Sequence, residues 1–236
     1  MKRIIPVLLS LVLLFSALCA CGTESAAPET PDNTQLQSTP APDAAPSPEP
    51  TVFPGNGIFS RGVVTNKEYL SSYLGIRFTA DENWVFASDA ELNELMGLSL
   101  DIIGDDVYGE NKELMETIAK QSIIYDMVAA APDGSNVQVI LENLQISNNG
   151  APLSENDYAD ILREQLASLT EFSYKLSDTY SSELAGKSFT VIDAELEGTA
   201  THQQFWLLCV DHYMLCITFT AMTESAPDFV SLFSAA

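Results

Sequence analysis

The chain has 236 residues with 10 basic and 33 acidic side chains, a formal net charge of −23. That balance excludes nonspecific nucleic-acid binding, which relies on clustered Lys and Arg. It also disfavours charge-driven docking onto anionic lipid or wall polymers.

Lys2 and Arg3 precede an uncharged apolar run over residues 4–18, "IIPVLLSLVLLFSAL". A membrane-spanning helix needs roughly 20 such residues and a signal-peptide core about 7–15, so the run reads as a secretion signal. The sequence Leu18-Cys19-Ala20-Cys21-Gly22 then resembles the bacterial lipobox, with Leu at minus three and a small residue at minus one. The resemblance implies a thioether-linked diacylglycerol on Cys21 and cleavage after Ala20, so residues 1–20 are expected to be removed. Cys19 falls at the tolerant minus-two position and leaves with the signal. Two acyl chains hold a protein stably on a bilayer where one is marginal.

Residues 21–56 carry the attachment cysteine and "GTESAAPETPDNTQLQSTPAPDAAPSPEPTVFPGN", with eight of the twelve prolines, five acidic residues and no basic one. Too little apolar surface is present to offset ordering entropy, and a disordered, extended spacer is expected. Residues 57–236 are read as one globular domain, of a size that supports a single well-buried core. Its charge is 8 − 28 = −20, after removing Lys2, Arg3 and the five acids of the spacer.

Within the domain, 59–66 and 73–80 read as strands from their alternating β-branched and aromatic residues. Ser88 and Glu91 form a capping box that predicts a helix from about Asp89. A second helix is expected over 111–121, with Leu114, Met115 and Ile118 on one stripe. "APDGS" is a turn signal joining strands near 122–130 and 136–144. The segment 154–170 places Tyr158, Ile161, Leu162, Leu166 and Leu169 at helical spacing, with Ser154 as N-cap and Asp157 at the box position.

The last third reads as a meander with strands at 173–184, 188–197, 203–210 and 213–220. The third and fourth, "QQFWLLCV" and "YMLCITFT", are apolar on both faces, so both sides of their sheet must be covered. A terminal helix from about Pro227 would bring Phe229, Leu232 and Phe233 to one face. The expected fold class is α+β, a largely antiparallel sheet flanked by helices on both faces.

"YLGIRFTADENWVFASDAEL", in which a Leu-Gly-aliphatic-x-Phe strand leads into a Trp, resembles the opening of PsbP-like α/β/α sandwich domains. "IIYDMVAAAPDGSNVQVILENL" with the helix and meander after it is similar to lipoproteins of this type from Gram-positive bacteria. The resemblance spans about 58–235 and departs at 80–83, where Ala-Asp-Glu-Asn stands in place of the usual Pro before the Trp. It implies the sandwich fold and an accessory or partner-binding role, and carries over no site residue.

Four zinc-ligand types, His202, Cys209, His212 and Cys216, fall within fifteen residues. A two-residue turn at Asp211-His212 pairs Cys209 with Met214 and Leu207 with Cys216. That leaves His212 in the turn and His202 beyond the opposite strand end, so the four do not converge tetrahedrally. The cysteines share a face diagonally, as two buried thiols or, in an oxidising compartment, a disulfide. Asp126 and Glu142 each interrupt an apolar strand, and a turn at 132–135 sets them nearly opposite. Together with Asn143 they are candidate surface-site residues, for acid–base work or cation binding, or simply solvent-facing polar positions. The acidic stretch 101–110 lacks calcium-loop spacing and reads as a solvated loop. Tyr69, Tyr73, Trp84 and Tyr108 form either a contact patch or core.

No motif calls for a metal or cofactor, and no nucleophile elbow or phosphate loop is present. The expectation is a membrane-anchored extracytoplasmic lipoprotein. It meets the bilayer through acylated Cys21 and acts as a non-catalytic binding or accessory module with an envelope protein partner. The competing readings are an envelope enzyme using carboxylates and a substrate-capturing lipoprotein of a transporter.

Overall fold

Two antiparallel hairpins lie side by side at the centre of the molecule. The computed structural model describes residues 55–93, 117–118, 121–169, 172–223, 226 and 228–236. The first hairpin joins β5 (Ile123–Ala130) to β6 (Asn136–Asn143). Its turn is closed by Ala131 N donating to Ser135 O, while Asp133 Oδ1 accepts from Ser135 N. The second joins β10 (His202–Val210) to β11 (Tyr213–Ala221), with Cys209 opposite Met214 and Leu207 opposite Cys216, the register its two-residue turn predicts. β6 and β11 pair along their whole lengths and fuse the hairpins into one sheet.

Short strands extend this sheet. β4 (Val85–Phe86) adds to β5, and β9 (Lys187–Leu196) adds to β10. β7 (Tyr174–Leu176) and β8 (Tyr180–Leu184) share the far edge of β9. The sequence read 173–184 as one strand. It is broken at Ser177, whose N–H donates to Asp193 O and whose hydroxyl accepts from Asp193 N, occupying the ladder position itself.

β10 and β11 are buried almost throughout, as their two-sided apolarity requires. One face is covered by the helix Glu155–Ser168, here α2, following the single turn α1 (Leu144–Ser147). Ser154 and Asp157 make the expected capping box. Tyr158, Leu162 and Leu166 press on Ile140, Ile192, Phe205, Leu207 and Met214. The Ser88–Glu91 box is also present, and its hydrogen bonds from Ser88 hold the Glu91 carboxyl below its ordinary value.

The other face departs from expectation. Among the described residues it is covered not by a long helix but by a second, four-stranded sheet in the order β1 (Val63–Thr65), β2 (Glu68–Ser71), β3 (Ile76–Thr79) and β12 (Phe233–Ala235). Two-sided apolarity demands a cover without specifying its kind, and here alternating inward residues such as Ile76 and Phe78 supply one. β2 had no strand signal in "KEYLSS", yet Tyr69 and Ser71 point inward and are fully buried. The terminal helix is one 3-10 turn, Phe229–Leu232, capped by Asp228 Oδ1 on Val230 N. Phe233 then aligns opposite Phe78 in β12. Phe229, Leu232 and Phe233 face inward as predicted, the first two from the 3-10 turn and Phe233 from a paired strand. The domain is thus α+β and sheet-dominated, with one long helix among the described residues. The helix read over 111–121 lies mostly, and the loop 101–110 wholly, outside the described residues.

Candidate functional site

Asp126 and Glu142 are separated by the sheet itself. Ile123, not Asp126, stands opposite Glu142, and a bulge between Tyr125 and Met127 leaves Asp126 out of register. A bulge re-aims side chains. Here it puts Asp126 on the same face as Met127, toward the small sheet. Both candidates are buried rather than at the surface. Asp126 accepts from Tyr69 Oη at 2.5 Å, from the Gly62 N–H at 3.0 and 3.1 Å, and from Arg61 Nε at 3.4 Å. Arg61 also donates to Tyr125 O at 2.6 Å and reaches Asp89 at 3.4 Å. The carboxylate is therefore a clamp that holds the segment entering β1 against the bulge. Burial, and then the adjacent carboxylate, pushes the Tyr69 hydroxyl well above its usual range, so it stays a donor.

Gly62 fits this clamp because it lacks a Cβ; one built there would overlap the Tyr69 ring. The ring is fully buried and its hydroxyl is held by Asp126, so it cannot swing aside. Gly62→Ala is expected to cost about 1–3 kcal/mol, the range for overpacking. A urea midpoint equal to the parent's would show that the ring relaxes freely.

Glu142 faces α2. Its Oε2 accepts from Tyr158 Oη at 2.6 Å, while Oε1 is buried with no hydrogen-bond partner. Burial pushes the carboxyl up to about 7, opposed in part by the neighbouring Ser147 and Tyr158 hydroxyls. Asn143 caps α1, accepting from Gln145 N, and shares no site with either acid. The three sequence candidates thus serve three separate structural tasks.

Cys209 and Cys216 are free thiols on the helix-covered face. Cys209 Sγ donates to Leu153 O at 3.2 Å, and burial pushes both thiols up to about 12, which keeps them protonated. His212 lies over the Tyr213 ring at the turn, whereas His202 stands at the far end of β10. At the turn, Asp211 adopts φ 51° and its Oδ2 accepts from Tyr73 Oη and Gly55 N. Asn56 N donates to Tyr73 O, so this end of the domain fixes the chain where it enters. Tyr69, Tyr73 and Trp84 are core residues, and Tyr108 lies outside the described residues.

A different group of side chains converges at the surface. Along β8, β9 and β10 the face toward the small sheet is apolar at Leu184, Val191 and Trp206. The same face turns polar at Tyr180, Asp193, Gln204 and His202. Asp193 stands opposite Gln204, and His202 is one diagonal step away. Gln204 Nε2 donates to Asp193 Oδ1 at 2.7 Å and to Tyr180 Oη at 3.2 Å. Tyr180 Oη lies 3.3 Å and His202 Nε2 3.5 Å from the same carboxylate oxygen. Partial burial, then Asp193, pushes the Tyr180 hydroxyl up to about 12. Beside this network a cleft of about 380 Å³ runs between His202, Gln204, Thr223, Asp228, Phe229 and Val230. Sequence reading missed the group. Its members are scattered over 25 residues and meet only through the β8–β9 and β9–β10 registers.

No family model matches the chain, and no curated protein matches it. Among solved structures it is similar to the solution structure of cyanobacterial PsbP (CyanoP) from Synechocystis sp. PCC 6803. The identity is 13% and the TM-score 0.42, over 77% of this chain and 100% of that chain.

Proposed function

We propose that the chain is a lipid-anchored, extracytoplasmic binding module whose domain is of the PsbP-like type. The observation that carries the anchor is Leu18-Cys19-Ala20-Cys21 immediately after a fifteen-residue apolar core with a basic start. No helix among the described residues is long and apolar enough to cross a membrane. A diacylated Cys21 supplies attachment without one. The PsbP-like reading draws on the motif around β3, where Leu74, Ile76, Phe78 and Trp84 are all buried and the Phe78 and Trp84 rings meet edge-on at 5.7 Å. Binding is favoured over carboxylate catalysis because Asp126 and Glu142 lie on opposite faces. One is saturated by donors and the other is sealed beneath α2. The convergent polar side chains at the surface are those around Asp193.

Cys21→Ala tests the anchor. The parent protein is expected in the membrane fraction and the variant in the soluble extracytoplasmic fraction. A variant that stays on the membrane after a high-salt wash would show that something other than Cys21 holds it.

A further inference from the structure

We propose that Tyr180, Asp193, His202 and Gln204, with the adjoining cleft, form a binding site for a neutral saccharide. This deepens the binding-module reading and rests on it. The network is preorganised. Gln204 Nε2 is spent on Asp193 and Tyr180, and Gln204 Oε1 accepts from Trp206 Nε1 at 3.4 Å, so the amide plane is fixed from both ends. The Asp193 N–H is held by Ser177 Oγ, at the break in the edge strand that also sets Tyr180 beside it. Rigid planar groups of this kind lose little freedom when a ligand arrives.

The remaining valences point to the ligand. Asp193 Oδ2, the second lone pair of Gln204 Oε1 and His202 Nδ1 have no partner among the described residues. The first two accept only, and neutral imidazole adds an acceptor or a donor according to tautomer. A ligand must therefore bring several donors close together, as adjacent hydroxyls do. Tyr180 is 39% exposed and Val230 37%, an aromatic and an aliphatic side chain that offer apolar surface to the C–H groups of a sugar ring. The cleft of about 380 Å³ lies in the range of small-molecule sites. An anionic ligand would meet the Asp193 carboxylate and a domain of charge −20. A small cation would find Asp193, whose Oδ1 is already hydrogen-bonded and which has a histidine beside it, and Asp228 in the cleft wall, whose Oδ1 already accepts from Val230 N.

The test is binding of the full-length, detergent-solubilised protein to an immobilised array of neutral hexose and N-acetylhexosamine oligosaccharides. Spermidine titration serves as the cationic comparison. At least one saccharide is expected to bind with millimolar or tighter affinity. Tyr180→Ala and Asp193→Asn should each weaken it at least tenfold with urea midpoints unchanged. Tyr180 is on an edge strand, so its truncation leaves the fold intact even if Asp193→Asn disturbs it. No saccharide bound, or binding indifferent to Tyr180→Ala, would overturn the proposal. Spermidine binding that these variants abolish, without saccharide binding, would also overturn it while leaving the module a binding protein.

Discussion

Asp126→Ala is expected to destabilise the domain by about 2–6 kcal/mol. The substitution strands the buried Tyr69 hydroxyl and the Gly62 amide, each costing about 1–3 kcal/mol when left without an acceptor. Arg61 loses one of its partners too, but its side chain is 45% exposed and rehydrates, so it adds little. Asp126→Asn should cost less, because the amide oxygen still accepts while its NH2 meets another donor. Urea midpoints measure the totals, and hydrogen exchange at Gly62 reads the clamp locally: its amide should exchange much faster in Asp126→Ala. A loss below about 1 kcal/mol would mean that the β1 segment is held by apolar contacts instead.

Glu142→Gln gives the other large effect, and it depends on pH. Burial raises the folded-state value to about 7, above the ordinary carboxyl value of 4.5. Between those two values the folded form holds a proton that the unfolded form has released. Stability therefore falls as pH rises through this window, by on the order of 3 kcal/mol in all, and is lowest above pH 7. Gln keeps an acceptor for Tyr158 and cannot ionise. The variant should lose this part of the pH slope and gain stability over the parent at pH 8, with little difference at pH 5. The domain's excess of carboxylates also weakens folding at high pH, and the parent-minus-variant difference removes that shared contribution. Parallel slopes for the two proteins would place the Glu142 charge in contact with water.

The central hairpins were legible in the sequence because their signals are local. A turn fixes register, and strands apolar on both faces must be internal. α2 declared itself through Ser154, Asp157 and a repeating apolar stripe. The nature of the second cover was not legible, since inward-facing Tyr69, Phe78 and Phe233 satisfy the same demand from strands as from helices. The roles of Asp126 and Glu142 were hidden for a related reason. A polar residue in an apolar strand looks solvent-facing until its partner is known. The partners of Asp126 are 57–65 residues away and meet it only through a bulge. The Asp193 network needed the pairing of Asp193 with Gln204, and nothing in either strand alone announces it.

The anchor is tested most directly by mass spectrometry of the N-terminus of the mature protein. The expected species begins at Cys21 and carries the mass of a thioether-linked diacylglycerol. An unmodified N-terminus beyond residue 21, on protein recovered from outside the cytoplasm, would contradict the anchored reading.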